Sequence, residues 1–272
     1  MKSAVTISLV PETKGGPFVF SDGLAEGCAA AASLGFDAVE VFPPGAEAVD
    51  RAVLRGLLDR HGLKLAAMGT GAGWVARGLN LTLPDPVRRE QARDFIRGII
   101  GLAGEFGGSA IIGSMQGRWG GEVSRDLALG WLQESLGELG AFAAKWGVPL
   151  LYEPLNRYET NLLHHLGETA RWLQAGGVGN VRLLADLFHM NIEEADLGQA
   201  IREAGTYLGH VHFADSNRRA MGFGHTQTAP AIQALRQIGY AGYLSAEVLP
   251  WPDSLAAARQ TIEAIRQATQ SP

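Results

Sequence analysis

One short stretch, Val148-Pro-Leu-Leu-Tyr-Glu153, is an apolar run that ends in a carboxylate. The same pattern returns three times, in Val181-Arg-Leu-Leu-Ala-Asp186, Leu208-Gly-His-Val-His212 and Tyr243-Leu-Ser-Ala-Glu247. The final residues of successive runs are 33, 26 and 35 positions apart, and a strand–helix–strand unit takes roughly 30 residues. The pattern therefore predicts four successive units of one parallel sheet, with each strand ending in a polar side chain.

The rest of the chain repeats this alternation of apolar runs and helical patterns. Strands are predicted over 5–10, 38–42, 64–68, 110–113, 149–153, 182–186, 210–213 and 243–247. Helices are predicted over 22–34, 47–61, 86–106, 123–146, 165–175, 196–204, 229–238 and 253–269. This order predicts an α/β fold, a single (β/α)8 TIM barrel domain over residues 1–272. The alternative is an open doubly wound sheet, but no G-x-G-x-x-G turn follows the first strand.

The composition disfavours several classes of protein. The chain has 272 residues, a formal net charge of −5 and 46% apolar residues, which fits a globular domain with a large core. The acidic balance disfavours a nucleic-acid-binding surface, which is expected to be basic. No apolar stretch approaches the ~20 residues of a membrane span or forms a signal-peptide core, and the single cysteine, Cys28, fits a reducing compartment. We therefore expect a cytoplasmic protein that binds neither nucleic acid nor membrane.

The polar ends of the four strands predict a metal site. In a closed barrel, the carboxyl ends of the strands share one rim, where the chemistry is done. Glu153, Asp186, His212 and Glu247 would meet at that rim. Three carboxylates and one imidazole form an oxygen-rich site suited to Mn²⁺ or Mg²⁺, with Co²⁺ tolerated. His210 faces the same side of its strand as His212 and is expected one layer deeper.

The two glutamates suggest a reaction. The fifth and eighth strands lie three steps apart around a ring of eight, so Glu153 and Glu247 can face each other across a ligand. Removing a proton next to a carbonyl needs a positioned base and a cation that stabilises the enediolate. One base can return the proton to a neighbouring carbon, which is isomerisation. Two bases on opposite faces can invert a stereocentre, so this pair predicts epimerisation.

Three further side chains are candidates for substrate contacts. His189 lies three residues beyond the sixth strand and could donate to a ligand oxygen or cap a helix. Arg118, after the fourth strand, and Arg218, after the seventh, are candidate donors to hydroxyl, carboxylate or phosphate groups. Two segments that mix glycine with large or polar residues, 69–84 and 215–225, predict long loops at the same rim.

Four motifs resemble those of a known family. They are Glu153-Pro-Leu-Asn-Arg-Tyr-Glu159, Asp186-Leu-Phe-His-Met-Asn-Ile-Glu-Glu194, His212-Phe-Ala-Asp-Ser-Asn-Arg218 and Gly239-Tyr-x-Gly-Tyr-x-Ser-x-Glu247. Together they resemble the ketose 3-epimerase family, the D-tagatose and D-psicose epimerase group within the xylose isomerase-like TIM barrels. The resemblance follows the whole barrel order and is densest between residues 150 and 250.

The resemblance implies a metal-dependent enzyme that acts on a small sugar. It implies one divalent ion per chain, usually Mn²⁺ with Mg²⁺ or Co²⁺ accepted, bound by Glu153, Asp186, His212 and Glu247. The two glutamates would also exchange the proton at carbon 3 through a cis-enediolate. Family positions that contact substrate are occupied by Glu159, His189 and Arg218. The resemblance also implies a homodimer or a homotetramer.

Motifs in the first half of the chain resemble one subgroup of the family. The motifs Gly69-Thr-Gly-Ala-Gly, Gly78-Leu-Asn-Leu-Thr and Gly113-Ser-Met-Gln-Gly-Arg118 look closer to a subgroup that acts on keto-sugar acids such as 5-keto-L-gluconate. Arg118 would then be the partner of the substrate carboxylate. The chain departs from the family at Met221-Gly-Phe-Gly-His-Thr-Gln-Thr228, where relatives usually show Pro-Gly-x-Gly-His-x-Asp and an aromatic residue. That departure concerns the loop and the substrate fit rather than the metal site.

Three alternatives share the same barrel. An aldose–ketose isomerase or a keto-inositol dehydratase would use the same proton-abstraction step and give a different product. An AP endonuclease would bind three zinc ions with more histidine ligands, and the acidic charge and single metal constellation argue against it. A non-catalytic sugar-binding barrel would not need the two glutamates.

Overall fold

The computed structural model describes residues 1–270 and shows eight parallel strands that close into a barrel. The strands are β1 (Lys2–Ser8), β2 (Ala38–Phe42), β3 (Lys64–Gly69), β4 (Ser109–Ile112), β5 (Leu150–Tyr152), β6 (Val181–Asp186), β7 (Leu208–His212) and β8 (Tyr243–Ala246). Each strand pairs with its neighbours in chain order, and β8 pairs with β1 to close the ring. The predicted (β/α)8 TIM barrel is confirmed, and the open doubly wound sheet is wrong.

Ten α-helices accompany the strands within residues 1–270. They are α1 (Leu24–Leu34), α2 (Arg51–His61), α3 (Ala72–Val75), α4 (Pro86–Glu105), α5 (Arg125–Ala144), α6 (Leu166–Ala175), α7 (Leu187–Glu193), α8 (Leu197–Ala204), α9 (Thr228–Gln237) and α10 (Ser254–Gln270). Eight match predicted helices to within four residues. The sequence did not predict α3, inside the loop after β3, or α7, directly after β6, as separate helices. Across the described part of the chain, no helix combines the length and the apolar character needed to cross a membrane.

Two strands, β1 and β7, differ from the predicted bounds by more than one residue, and the other six agree with the prediction to within one residue. β1 covers Lys2–Ser8 rather than 5–10, because its first residue already pairs with β8. β7 covers Leu208–His212 rather than 210–213, because its first residue pairs with β6. Neither difference moves a predicted site residue away from the carboxyl rim.

Capping interactions fix where several helices begin and end. The Asp50 carboxylate accepts hydrogen bonds from two backbone N–H groups in the first turn of α2, and the Ser124 hydroxyl accepts one at the start of α5. Such side chains satisfy donors that have no partner within the helix. α1 ends at Gly35, whose φ of +81° lies in the left-handed region that favours glycine.

Successive side chains of a strand point alternately outward, toward the helices, and inward, into the barrel. The outward and inward side chains form separate apolar clusters. Val39 and Val41 of β2 belong to the large apolar cluster between the strands and the helices. Four residues from the consecutive strands β3 to β6 form a smaller cluster inside the barrel, namely Ala67, Ile111, Leu151 and Leu184. Apolar side chains thus fill the barrel interior, as in other barrels of this type, and they form a floor below the polar groups of the rim.

Candidate active site

The four predicted metal ligands lie together at the carboxyl ends of β5 to β8. Glu153, Asp186, His212 and Glu247 are all buried, and one ligand atom of each lies within 4.8 Å of the others. His212 Nδ1 lies 3.5 Å from Glu153 Oε1, 3.5 Å from Glu247 Oε2 and 3.6 Å from Asp186 Oδ2. The imidazole nitrogen therefore has a carboxylate oxygen from each of three different strands at nearly the same distance.

Local structure orients two of these carboxylates. The backbone N–H of Glu153 donates to Ile112 of β4, and its carbonyl accepts from Gln116 Nε2, both at 3.0 Å. The Asp186 carboxylate caps α7 by accepting the N–H of Phe188 at Oδ1, at 2.8 Å. This bond uses one oxygen of Asp186 and leaves Oδ2 for the cluster.

Several buried atoms of the cluster have no hydrogen-bond partner among residues 1–270. They include Glu153 Oε1, Asp186 Oδ2 and His212 Nδ1. A buried polar atom without a partner is costly, and native proteins rarely retain one without reason. Oxygen ligands from carboxylates, completed by one imidazole nitrogen, suit a hard divalent cation such as Mn²⁺ or Mg²⁺. The residues present therefore fit the implied ion, which would satisfy all three atoms at once.

The carboxylates differ in how readily they hold a proton. Burial raises the pKa of Glu153, and the like charges of Glu247 and Asp186 add to this effect. Burial also raises the pKa of Glu247, and His212 opposes the rise in both glutamates. Burial acts the same way on Asp186, but neighbouring imidazoles and Arg218 outweigh it and lower its pKa. The two glutamates are therefore better placed than the aspartate to exchange protons near neutral pH.

Sequence reasoning missed Glu40, which lies in the middle of β2 and is fully buried. Its carboxylate accepts hydrogen bonds from His210 Nε2 at 2.7 Å and from His212 Nε2 at 3.0 Å. Burial would lower the pKa of His212, but the charges of Glu40 and Glu247 raise it well above the ordinary value. An acidic residue inside the apolar run 38–42 was the available signal, since buried carboxylates need partners. The deeper layer predicted for His210 agrees with this contact.

His189, in the first turn of α7, directs an imidazole nitrogen at the cluster. Its Nδ1 accepts from Asn156 Nδ2 at 2.7 Å, which assigns the proton to Nε2. That Nε2 lies 3.8 Å from Glu153 Oε1 and 3.6 Å from Asp186 Oδ2 and has no hydrogen-bond partner in the described chain. Burial lowers the pKa of His189, so the ring is neutral and offers one N–H.

Arg218 joins the loop after β5 to the end of β8. Its Nη1 donates to Glu159 Oε1 at 3.1 Å, and its Nη2 donates to Glu247 Oε2 at 2.9 Å. The guanidinium carbon lies 4.8 Å from the centre of the Phe188 ring, within the range of a cation–π contact. Its backbone φ of +59° is uncommon for a residue with a side chain. The contacts fix one charged group beside a predicted base.

A profile described as the xylose isomerase-like TIM barrel matches residues 28–268. The chain belongs to this family. The D-psicose 3-epimerase of Ruminiclostridium cellulolyticum is 32% identical over 218 residues, which cover 78% of this chain and 73% of that protein. A crystal structure of D-allulose 3-epimerase from Methylomonas sp. in complex with D-allulose has a TM-score of 0.81 and 26% identity, and 98% of each chain is covered. The 3-dehydro-D-guloside 4-epimerase of Escherichia coli is 35% identical over 113 residues, 42% of this chain and 43% of that protein.

These similarities confirm the resemblance to the ketose 3-epimerases that the motifs predicted. They also place this xylose isomerase-like barrel among the sugar epimerases, which are isomerases. The dimer or tetramer implied by the resemblance stays a prediction.

In this xylose isomerase-like barrel, Asp215 stabilises the loop after β7 through hydrogen bonds from the loop backbone. Its buried carboxylate accepts backbone N–H groups from Ser216, Gly222, Gly224 and Thr226, at 2.7 to 2.9 Å. The segment that departs from the family pattern, 221–228, donates three of these bonds. Because their donors are backbone N–H groups, these bonds can form whichever side chains the segment carries.

The rim opens into a cavity of about 1030 Å³. Glu153 and Glu247 line its buried part, whereas Trp74 and Trp119 are 45% and 40% exposed and line its outer walls. Arg118 lines the same cavity and forms no ion pair with any residue in 1–270. It is thus apart from the network of Arg218, and its charge faces a space that a ligand can enter.

Proposed function

We propose that the protein is a divalent-metal-dependent epimerase of a ketose or a keto-sugar acid. The single observation that carries the proposal is the buried cluster of Glu153, Asp186, His212 and Glu247, with its unpartnered ligand atoms. A bound divalent cation would supply positive charge to stabilise the developing enediolate oxygens, with Mn²⁺ favoured and Mg²⁺ or Co²⁺ accepted. The 3-epimerase activity named for its relatives supports carbon 3 as the centre that inverts.

The proton is exchanged between the substrate carbon and the two glutamates. Glu153 and Glu247 extend from strands that are three steps apart in the ring, so a sugar between them meets one carboxylate on each face. One glutamate, as carboxylate, removes the proton from the carbon next to the carbonyl. The other, as carboxylic acid, delivers a proton to the opposite face, and the raised pKa values of both favour this division.

Three other residues would position the substrate. His189 offers its Nε2–H to a substrate oxygen, because its other nitrogen is already occupied by Asn156. Arg218 places a charged donor beside Glu247, and Glu159 holds the other end of that guanidinium. A neutral imidazole donor next to a fixed cation suits an oxygen that gains negative charge during the reaction.

Two features favour a substrate that is larger than a free hexulose and carries an additional charged group. Ligand pockets commonly measure about 300–1,000 Å³, so a cavity of about 1030 Å³ has room for more than a small sugar. Arg118 has no acidic partner within the described residues and could bind a carboxylate through charge-assisted hydrogen bonds. A keto-sugar acid satisfies both features.

A substrate panel in deuterated water tests the proposal. The Mn²⁺-loaded protein is incubated with ketohexoses, ketopentoses and keto-sugar acids, and the products are identified by NMR. We expect an epimer that carries deuterium on the carbon next to the carbonyl. A product with the carbonyl moved to another carbon would instead support the aldose–ketose isomerase, and loss of water would support the keto-inositol dehydratase. Binding with no proton exchange on any substrate would contradict an epimerase.

A further inference from the structure

We propose that Glu40 is a positioning residue that orients His212 for metal binding. It does so from β2, on the far side of the barrel interior, and His210 holds it in place. The inference rests on the proposed metal site, because it assigns a role toward the ion that His212 would bind. It adds to that site a carboxylate that has no ligand atom in the four-residue cluster.

The hydrogen bonds determine which nitrogen of His212 faces the cluster. The Nε2 atom bonds to Glu40 Oε1 at 3.0 Å, and Nδ1 lies 3.5 to 3.6 Å from the three carboxylates of the cluster. An ionised carboxylate only accepts hydrogen bonds, so Nε2 carries the proton. Metal binding requires the neutral imidazole and therefore displaces one proton from His212. Because Glu40 holds the proton on Nε2, the proton displaced is the one on Nδ1, whose lone pair then faces the ion.

His210 completes the arrangement by occupying the second oxygen of Glu40. Its Nε2 donates to Glu40 Oε2 at 2.7 Å. The side chains of Glu40, His210 and His212 are at most 2% exposed, so water does not compete for these bonds. The two imidazole rings meet edge to face with 5.5 Å between their centres. The carboxylate is thereby held by two donors and cannot rotate away from His212 without losing both bonds.

The barrel topology explains why this contact crosses the interior. Glu40 pairs with Thr6 of β1 and with Ala67 of β3, and the register between β2 and β3 shifts by one residue just before it. The register between β6 and β7 shifts in the same way just before His210. Such irregularities change the direction of side chains locally. β2 and β7 lie three steps apart around the ring, so their inward side chains meet inside the barrel.

The same three residues could instead be considered a second metal site, since their ligand atoms also lie close together. Hydrogen bonds of 2.7 and 3.0 Å argue against this reading, because both carboxylate oxygens are already satisfied by imidazole N–H groups. A carboxylate behind a metal-ligating histidine fixes the ring and its tautomer, and its loss typically weakens metal binding about 10- to 100-fold.

Metal titration of Glu40→Gln tests the role of Glu40. The Mn²⁺ dissociation constant and the number of ions per chain are measured by calorimetry on metal-free wild type, Glu40→Gln and a control, Asp37→Asn. Asp37 also binds across two strands, through Ser3, but at the amino end of the barrel. We expect one ion per chain throughout, a dissociation constant raised about 10- to 100-fold in Glu40→Gln, and a constant within about twofold of wild type in the control.

The outcomes separate the two proposals. If wild type binds no divalent ion, the proposed metal site fails. If wild type binds one ion and Glu40→Gln, folded by circular dichroism, binds it equally well, only the role of Glu40 is overturned. Two ions in wild type with one lost in Glu40→Gln would also overturn it, in favour of a second site.

A measurement on wild type covers the case in which Glu40→Gln fails to fold. Protein labelled with ¹⁵N-histidine is loaded with diamagnetic Mg²⁺, and His212→Gln identifies the His212 signals. We expect a proton on His212 Nε2, shifted downfield by its hydrogen bond to the carboxylate. A proton on Nδ1 instead would contradict the orientation proposed here, because that nitrogen could not then bind the ion.

Discussion

The first half of the barrel, β1 to β4, and the second half, β5 to β8, place different side chains at the same rim. We call the first the open half and the second the ionisable half. The first four strands end in small or apolar residues, namely Ser8, Phe42, Gly69 and Ile112, and Gly113 directly follows the last of these. The ends of the last four carry ionisable residues: Asp186 and His212 are the final residues of β6 and β7, and Glu153 and Glu247 directly follow β5 and β8. The barrel therefore concentrates its reactive groups in the second half, while loops of the first half form most of the wall of the cavity that these groups face. An enzyme of this kind can change what it binds through the first half while the second half keeps its chemistry.

The separation is not complete, because the ionisable half depends on two residues of the other. Glu40 on β2 holds His212 through the barrel interior. Gly113, just after β4, lies so close to Glu153 that an added Cβ would come within 2.7 Å of its Oε2. The first half thus contacts two predicted ligands of the second, His212 through Glu40 and Glu153 through Gly113.

The largest expected effect comes from the two glutamates of the ionisable half. We expect Glu153→Gln and Glu247→Gln each to reduce turnover by about 10²–10⁴-fold, the usual contribution of a positioned acid or base. The rate of epimer formation at saturating Mn²⁺, followed by NMR, gives the measurement. The control is Glu105→Gln, which changes a surface carboxylate paired with Arg51 and Arg55 and should leave the rate unchanged. A fully active Glu247→Gln enzyme would refute the scheme with two bases.

A methyl group added to the open half should disturb the other half. Gly113→Ala forces Glu153 to move, because the new Cβ would lie 2.7 Å from Glu153 Oε2. Misplacement of a catalytic group by about 1 Å can cost about 100-fold, so we expect a loss of that order in kcat/KM. Gly137→Ala in α5, where a Cβ meets nothing within 4 Å, serves as the control. Equal activity of the two variants would show that the rim tolerates the added volume.

The open half should also set the preference for an acidic substrate. We expect Arg118→Gln to raise KM about tenfold for a keto-sugar acid, as for a lost charge-assisted hydrogen bond, and to leave KM for the corresponding uncharged ketose unchanged. Arg125→Gln, at the exposed start of α5, provides the comparison. An equal rise for both sugars would remove Arg118 from carboxylate recognition.

The smallest expected effect is a pH dependence of stability in the ionisable half. In the metal-free protein, burial and like charges raise the pKa of Glu153 from its ordinary 4.5 to about 8. A raised pKa contributes stability that is present at low pH and lost as the pH rises through the folded value. Loss of one bound proton costs about 1.4 kcal/mol per pH unit, so we expect Tm to fall by roughly 2–4 °C per unit between pH 7 and 8.5.

The raised pKa values of Glu247 and His212 act in the same direction as that of Glu153. His189 acts in the opposite direction, but its lowered pKa matters only below its ordinary 6.5 and so outside this range. Saturating Mg²⁺ should suppress the decline, because metal ligation requires the deprotonated carboxylates. The gap in Tm between loaded and metal-free protein should therefore widen from pH 7 to 8.5 in differential scanning calorimetry. A constant gap would show that neither Glu153 nor the other two ligands with raised pKa values release a proton in this range.

The sequence predicted the barrel and the residues of the ionisable half for one physical reason. Strand–helix units of regular length place strand ends at one rim, so the positions of Glu153, Asp186, His212 and Glu247 follow from spacing alone. The roles of α7 and Asn156 did not follow, because they depend on a helix that begins directly at Asp186 and turns His189 toward the cluster.

The role of Glu40 shows where sequence reasoning stops. A carboxylate within an apolar strand indicates that some partner exists. Its partners His210 and His212 lie about 170 residues further along the chain, and their meeting depends on ring closure and on register shifts in two strand pairs. The spacing of residues along the sequence contains no information about register shifts. The contact between Glu40 and the two histidines could therefore be found only in the structure.

Asp215 has a consequence for how this chain can diverge from its relatives. Its carboxylate secures the turn through amide hydrogens, so the exposed side chain of His225 can change without loss of these bonds, whereas Met221 is buried in the core and Phe223 packs against Trp251. Gly224 is different, since a methyl there would come within 2.4 Å of Asp215 Oδ1. Exposed positions in this stretch can therefore diverge while the guanidinium of Arg218 keeps its place beside Glu247.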